Sequence, residues 1–174
     1  MKETYLGDIN RKKLLEIGKV KNKTLLDVGV GELAIIAAKD FNCDVTSIDI
    51  NEDELKKAKQ DIIKEKLKNK IHIEKQDATN LSYSDNKFDI SISYCAMHHT
   101  PMEKREKFIS ELYRVSKEKI IIAEFNQRGF PHSEDEYKRV DLNWLEKKLN
   151  LLSLKVDKYQ GKEMNVYICF KGEK

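Results

Sequence analysis

Residues Leu25-Leu26-Asp27-Val28-Gly29-Val30-Gly31-Glu32 admit few folds. A short apolar run of strand character passes into a turn with two glycines, and helical spacing begins at once in Leu33–Ala38. The same strand-then-helix alternation continues almost to the end of the chain. Strands are expected over Thr24–Val28, Cys43–Ile48, Ile71–Glu74, Phe88–Tyr94 and Ile120–Phe125. Asn51, with Glu54 three positions on, opens a helix towards Leu67. Thr100-Pro101-Met102-Glu103 opens another that runs to Val115, and a third covers Leu142–Leu149. Leu151–Val156 and Met164–Phe170 read as a closing hairpin around Gly161. Strands separated by helices pair in parallel and carry helices on both faces. The unbroken apolar run Ile120-Ile121-Ile122-Ala123 fits a strand buried on both sides. The expected fold is therefore α/β: a Rossmann-like, doubly wound, mostly parallel sheet of seven strands, with the antiparallel hairpin at one edge.

At 174 residues the chain suits one domain with a sizeable core. Its charged content of 36% is high, but recurring apolar runs exclude wholesale disorder. No stretch approaches the ~20 apolar residues of a membrane span. The start, Met1-Lys2-Glu3-Thr4-Tyr5, has no apolar signal core, so a soluble cytoplasmic protein is expected. Cys43, Cys95 and Cys169 are odd in number and lack Cys-x-x-Cys spacing, which argues for free thiols and against a structural zinc. The net charge of +3 comes from lysines mixed with acids, as along Glu52–Lys70, which marks solvated helix faces more than a nucleic-acid footprint.

The glycine turn is also where a ligand would approach the backbone at a helix N-terminus. Asp49 ends the second strand, 18 positions beyond Gly31, where a carboxylate can accept both hydroxyls of a ribose. Gly29-Val30-Gly31-Glu32-Leu33-Ala34 satisfies the dinucleotide pattern as well. Asp27 and Glu32, however, bring negative charge to the place of a pyrophosphate and suit an ammonium or sulfonium better.

On these residues the chain resembles the class I S-adenosylmethionine-dependent methyltransferases, especially their small-molecule, quinone-methylating branch. The resemblance runs in order over residues 20–125. It implies S-adenosylmethionine as cofactor. Asp27, Gly29 and Gly31 would then hold its methionine part, Asp49 its ribose, and Ile50 would lie beside adenine. Gln76-Asp77-Ala78 is similar to the segment that meets the adenine edge, through the Asp77 carboxylate and the Ala78 N–H. Phe88-Asp89-Ile90 and Glu111–Val115 resemble further family segments. Two departures stand out: Leu33 replaces the third motif glycine, and Ser116–Lys119 replaces a Pro-Gly-Gly turn. The resemblance divides the single domain into a helical lid at 1–20, a cofactor-binding core at 21–125 and an acceptor-side loop, helix and hairpin at 126–174.

After the fourth strand, His98 and His99 are the candidate proton acceptors, His99 at the family's position. Tyr94 is expected as a wall of the cofactor site, and Asp89 as a structural acceptor for backbone donors. Asn126, Arg128, Phe130 and His132 form a candidate acceptor rim. Cys95, His98 and His99 lack a fourth ligand, so no metal is expected. The resemblance implies methyl transfer to a small-molecule acceptor by in-line displacement. A macromolecular acceptor such as RNA or protein is the first alternative, although Ser93-Tyr94-Cys95-Ala96 lacks the motif of base-nitrogen methylation. A non-catalytic nucleotide-binding module is the second.

Overall fold

A computed structural model describes residues 2–130, 138–153 and 155–172. In chain order the elements are β1 (Lys2–Gly7), α1 (Arg11–Gly18), β2 (Thr24–Val28), α2 (Glu32–Phe41), β3 (Asp44–Asp49), α3 (Glu52–Lys64) and β4 (Ile71–Lys75). There follow β5 (Phe88–Tyr94), α4 (Arg105–Val115), β6 (Ser116–Phe125), α5 (Leu142–Leu152), β7 (Val156–Gly161) and β8 (Met164–Phe170). They form one sheet in the order β1-β7-β8-β6-β5-β2-β3-β4. Every pairing is parallel except those that β8 makes with β6 and β7.

The expected architecture holds, with three corrections. The sheet has eight strands, not seven. The added one is β1, so the segment expected as a helical lid begins as a strand and turns helical only at Arg11. Its alternation was masked because only Tyr5, Leu6 and Gly7 break a polar run, and it pairs along one side only, with β7. The hairpin is also not the edge of the sheet: β8 inserts beside β6, and β1 covers β7. Finally, α5 extends through Leu152, so the penultimate strand starts at Val156.

Both faces are covered. Leu14 and Leu15 of α1 and Leu33, Ala34 and Ala37 of α2 pack on Leu25, Ile90, Ile92 and Ile121. On the other face, Phe108 and Leu112 of α4 and Leu145 and Leu149 of α5 pack on Leu26, Ile120, Ile122 and Tyr167. Ile120 through Ala123 are each 0% exposed, which explains their unbroken apolar sequence. Burying each of these three isoleucine side chains contributes roughly 1.5–3 kcal/mol. Among the described residues no helix is long and apolar enough to cross a membrane.

Local chemistry keeps one expected helix start and moves another. Asn51 caps α3 as expected, accepting from the N–H groups of Asp53 (2.9 Å) and Glu54 (3.4 Å). The reciprocal bond does not come from Glu54: the Asn51 N–H donates to Asp49 Oδ1 at 2.8 Å. At Thr100–Glu103 the backbone first makes a 3-10 turn, Met102–Lys104, and α4 begins only at Arg105. Pro101 is extended (ψ 140°) and its turn has no side-chain cap, so the expected capping box is not formed there.

Strand order reverses between β2 and β5, because β3 and β4 extend one way and β5 and β6 the other. In such sheets the carboxyl ends of strands diverge at that point and leave a crevice.

Candidate active site

A cleft of about 770 Å³ opens at this reversal. Its floor is the turn after β2. Gly29 has φ +92°, a left-handed value that disfavours other residues, and a Cβ there would press on Ala96 at 3.3 Å. The Gly29 N–H donates to Ile48 O at 2.9 Å, tying the turn to β3. Gly31 is extended, and a Cβ there would meet nothing, so its free side faces open space. The helix α2 then starts without a side-chain cap, leaving its first N–H groups for solvent or ligand.

Asp27, 1% exposed, accepts a hydrogen bond from Ser47 Oγ at 2.7 Å. Burial raises its pKa from 3.8 to about 7, against the Ser47 bond and the Arg11 charge, which act to lower it. At the end of β3, Asp49 accepts from Asn51 N at 2.8 Å and, more weakly, from Val30 N at 3.4 Å. It therefore braces the glycine turn against the start of α3. Ile50 beside it is 66% exposed, an apolar side chain left open on the cleft wall. After β4, Asp77 accepts from both the N–H and the hydroxyl of Thr79 at 2.8 Å, and these bonds hold its carboxyl below the usual range. Ala78 and Thr79 complete that wall.

Tyr94 closes the far side at the end of β5. Arg11 of α1 lies over its ring, Cζ 4.9 Å from the centroid, and reaches Glu32 at 3.6 Å. Three elements thus meet over one end of the cleft. Cys95 follows in a left-handed conformation (φ 52°), with its N–H on Ala123 O at 2.8 Å. Burial, with the Glu124 charge, pushes its thiol up, which leaves it a poor nucleophile.

All eight residues expected to hold a cofactor, Asp27, Gly29, Gly31, Asp49, Ile50, Asp77, Ala78 and Tyr94, line this cleft. The two histidines separate. His99 lines the cleft, whereas His98 does not: it is 5% exposed, with Nδ1 3.0 Å from Glu124 Oε2. The two rings nevertheless touch, with centroids 4.1 Å apart and planes at 46°, so His98 is the buried neighbour against which His99 packs. The expected rim is also revised. Asn126 is a turn former, accepting from Arg128 N and Gly129 N and donating to Gly161 O. Phe130 packs edge-on against Phe125 and His98, and His132 lies outside the described residues. Asp89 has the structural role expected, accepting from the N–H and the hydroxyl of Thr24 at 2.9 Å.

Arg11, Glu54, Thr79, Ala96, Thr100, Lys104 and Phe108 also line the cleft, and no motif in the sequence marks them for a ligand, Glu54 and Thr100 standing there only as helix-start residues. Arg11 opens α1 directly after its cap, Asn10, whose side chain accepts from Lys13 N.

The charges lining the cleft decide what fits. Asp27, Glu32, Asp49, Glu54 and Asp77 stand against the cations Arg11 and Lys104. A pyrophosphate would meet this acidic wall at close range, whereas a ligand with an ammonium and a sulfonium would be attracted. The acidic set, the open side of Gly31 and the exposed Ile50 fit S-adenosylmethionine.

Comparison with known proteins agrees. Residues 25–119 match the family described as "Methyltransferase domain". The 2-methyl-6-phytyl-1,4-hydroquinone methyltransferase of Synechocystis is 34% identical over 71% of this chain and 36% of its own length. The norajmaline N-methyltransferase of Rauvolfia serpentina is 29% identical over 77% of this chain and 47% of its own. The chain thus spans less than half of either relative. The crystal structure of a SAM-dependent methyltransferase from Aquifex aeolicus superposes with a TM-score of 0.71 at 19% identity, covering 94% of this chain and 90% of that one.

Proposed function

The chain belongs to the class I S-adenosylmethionine-dependent methyltransferase family, and on that premise we propose that it binds S-adenosylmethionine in the cleft and methylates a small cyclic acceptor. The single observation that carries this reading is the gathering of the acidic motif residues with Gly31, Ile50 and Ala78 on one wall-to-wall cleft. The names of the two relatives suggest the acceptor class: a hydroquinone in one, a nitrogen of norajmaline in the other.

In this reading Asp49 accepts from the ribose hydroxyls, each bond to a charged group being worth about 1.5–3 kcal/mol. Asp77 and the Ala78 N–H face the adenine edge, and Ile50 covers its apolar surface. The Gly29–Gly31 backbone and Asp27 hold the methionine portion, with Tyr94 as a wall. When bound, S-adenosylmethionine supplies an electrophilic methyl on a good leaving group, so transfer is an in-line displacement. The protein's own contribution is then to align the acceptor and exclude water. His99, at the cleft margin, takes a proton from an acceptor that must lose one. Residues 21–125 form the cofactor half, and residues 126–174 with the N-terminal segment form the acceptor side. The three free thiols suit a reducing compartment, and we infer a cytoplasmic location.

Incubation with methyl-labelled S-adenosylmethionine and a panel of acceptors tests the proposal. The panel holds 1,4-naphthohydroquinone, simple phenols, cyclic secondary amines, an RNA transcript and a denatured protein mixture. Label is expected in a small-molecule acceptor. Label found only in RNA or protein would overturn the acceptor class. Cofactor binding with no transfer to any arm would favour a non-catalytic module.

A further inference from the structure

The turn Met97–His99 carries His99 to the cleft, yet it has no side-chain cap of its own. Two buried charged residues from other elements hold it instead. Glu124, 1% exposed near the end of β6, accepts from Met97 N at 2.8 Å and lies 3.0 Å from His98 Nδ1. Arg105, 4% exposed at the start of α4, donates from Nε to Thr100 O at 3.0 Å and from Nη2 to His98 O at 3.4 Å. The same guanidinium also donates to Lys138 O at 2.6 Å and Arg139 O at 3.2 Å. One side chain thus ties the loop after β5 to a second stretch more than thirty positions along the chain.

Energetics make this an unusual use of a charge. A buried guanidinium is costly unless its donors are met and an opposite charge lies near. Four backbone carbonyls meet the donors here, and the field of Glu124 opposes the effect of burial on Arg105. A planar fork reaches two segments at once, which the single ammonium of a lysine does not. The His98 ring lies beside Glu124 and packs against His99, Phe125 and Phe130, with centroids 4.1, 5.6 and 6.0 Å away.

We propose that Arg105 and Glu124 are positioning residues that grip the Met97–Thr100 turn from its two ends, hold His99 at the cleft and lock the Lys138–Arg139 stretch to it. The clamp itself follows from the bonds above; its role in catalysis rests on the methyltransferase reading. Neither residue lines the cleft, so both act on the acceptor side through the turn and leave the cofactor wall alone.

The test uses Arg105→Lys and Glu124→Gln in the full chain. Lysine keeps a positive charge opposite Glu124 but loses the fork, and Gln keeps an acceptor for one of the two N–H groups. In ligand-free Arg105→Lys, amide exchange should accelerate about tenfold or more at both His99–Thr100 and Lys138–Val140. S-adenosylhomocysteine affinity should stay within about twofold, since no contact with its wall is removed. With 1,4-naphthohydroquinone and saturating S-adenosylmethionine, kcat/KM should fall about tenfold or more, because a misplaced group is felt strongly in the transition state. Glu124→Gln should accelerate exchange at Met97–Thr100, and it carries the test if Arg105→Lys does not fold. Unchanged exchange in either variant, a response in one segment only of Arg105→Lys, or an equal loss of S-adenosylhomocysteine binding would overturn the clamp. Absence of wild-type turnover with 1,4-naphthohydroquinone would count against that acceptor, no transfer to any acceptor of the panel would count against the methyltransferase reading, and in both cases the exchange data would still decide the clamp.

Discussion

At pH 8 the Asp27→Asn variant, free of ligand, is expected to be more stable than the wild-type protein by on the order of 4 kcal/mol. Asp27 has a pKa of 3.8 in the open chain and about 7 in its buried place beside Ser47. Between those values the folded state holds the proton that the unfolded state has released. Stability from this group is therefore complete at low pH and is lost as pH rises from about 4 to about 7. The stability difference between variant and wild type should grow from near zero at pH 4 and level off above pH 7, as measured by urea unfolding across that range. A flat difference would mean that Asp27 is not ionised at the cost its burial demands. The same carboxylate should make cofactor affinity pH-dependent. A cationic ligand favours the charged form, so affinity should rise up to about tenfold per unit below pH 7, and Asp27→Asn should abolish that slope. Natural sequences keep such a costly group where a ligand repays it, and the stability gained by Asn would come with weaker binding.

His99→Ala should lower turnover about 100-fold with S-adenosylhomocysteine affinity nearly unchanged, the usual effect of deleting a positioned base. His99 is the histidine of the pair that lines the cleft, and His98 is 5% exposed against Glu124. The two single variants should therefore fail differently. His98→Ala should lose stability by leaving Glu124 short of a partner and by removing the ring packed on Phe125 and Phe130, whereas the main loss in His99→Ala should fall on turnover. At saturating cofactor, which removes Asp27 from the profile, the wild-type rate should rise with pH as an imidazole gives up its proton. Full turnover in His99→Ala on the true acceptor would mean that alignment alone suffices, as for an acceptor already nucleophilic at neutral pH.

Much of the cleft wall was legible because its residues act through local geometry. Gly29 is needed for a left-handed turn, Asp49 ends a strand, and Asp77 bonds its own loop at Thr79. Each of these signals lies within a few residues of the element that creates it. β2 and β5 were readable to the residue for the same reason: apolar runs between polar turns with both faces buried. What was not legible depends on contacts between distant segments. β1 has a weak pattern because it sits at the sheet edge, and its place is set by β7, some 155 positions later. Arg11 gains meaning only when α1 brings it over Tyr94 and Glu32. Arg105 looks like an ordinary charged residue at a helix start until β6 supplies Glu124. The capping signal at Thr100 misled for a related reason. The turn there is governed by Arg105 reaching back to the Thr100 carbonyl, a bond that no local motif announces.

Calorimetric titration of the purified chain with S-adenosylhomocysteine and, separately, with NAD tests the central claim most directly, because both ligands suit a strand–glycine turn–helix junction followed by an acid at the next strand end. The acidic lining of the cleft predicts saturable binding of one S-adenosylhomocysteine per chain and no detectable heat from NAD. Tight NAD binding with no response to S-adenosylhomocysteine would contradict it.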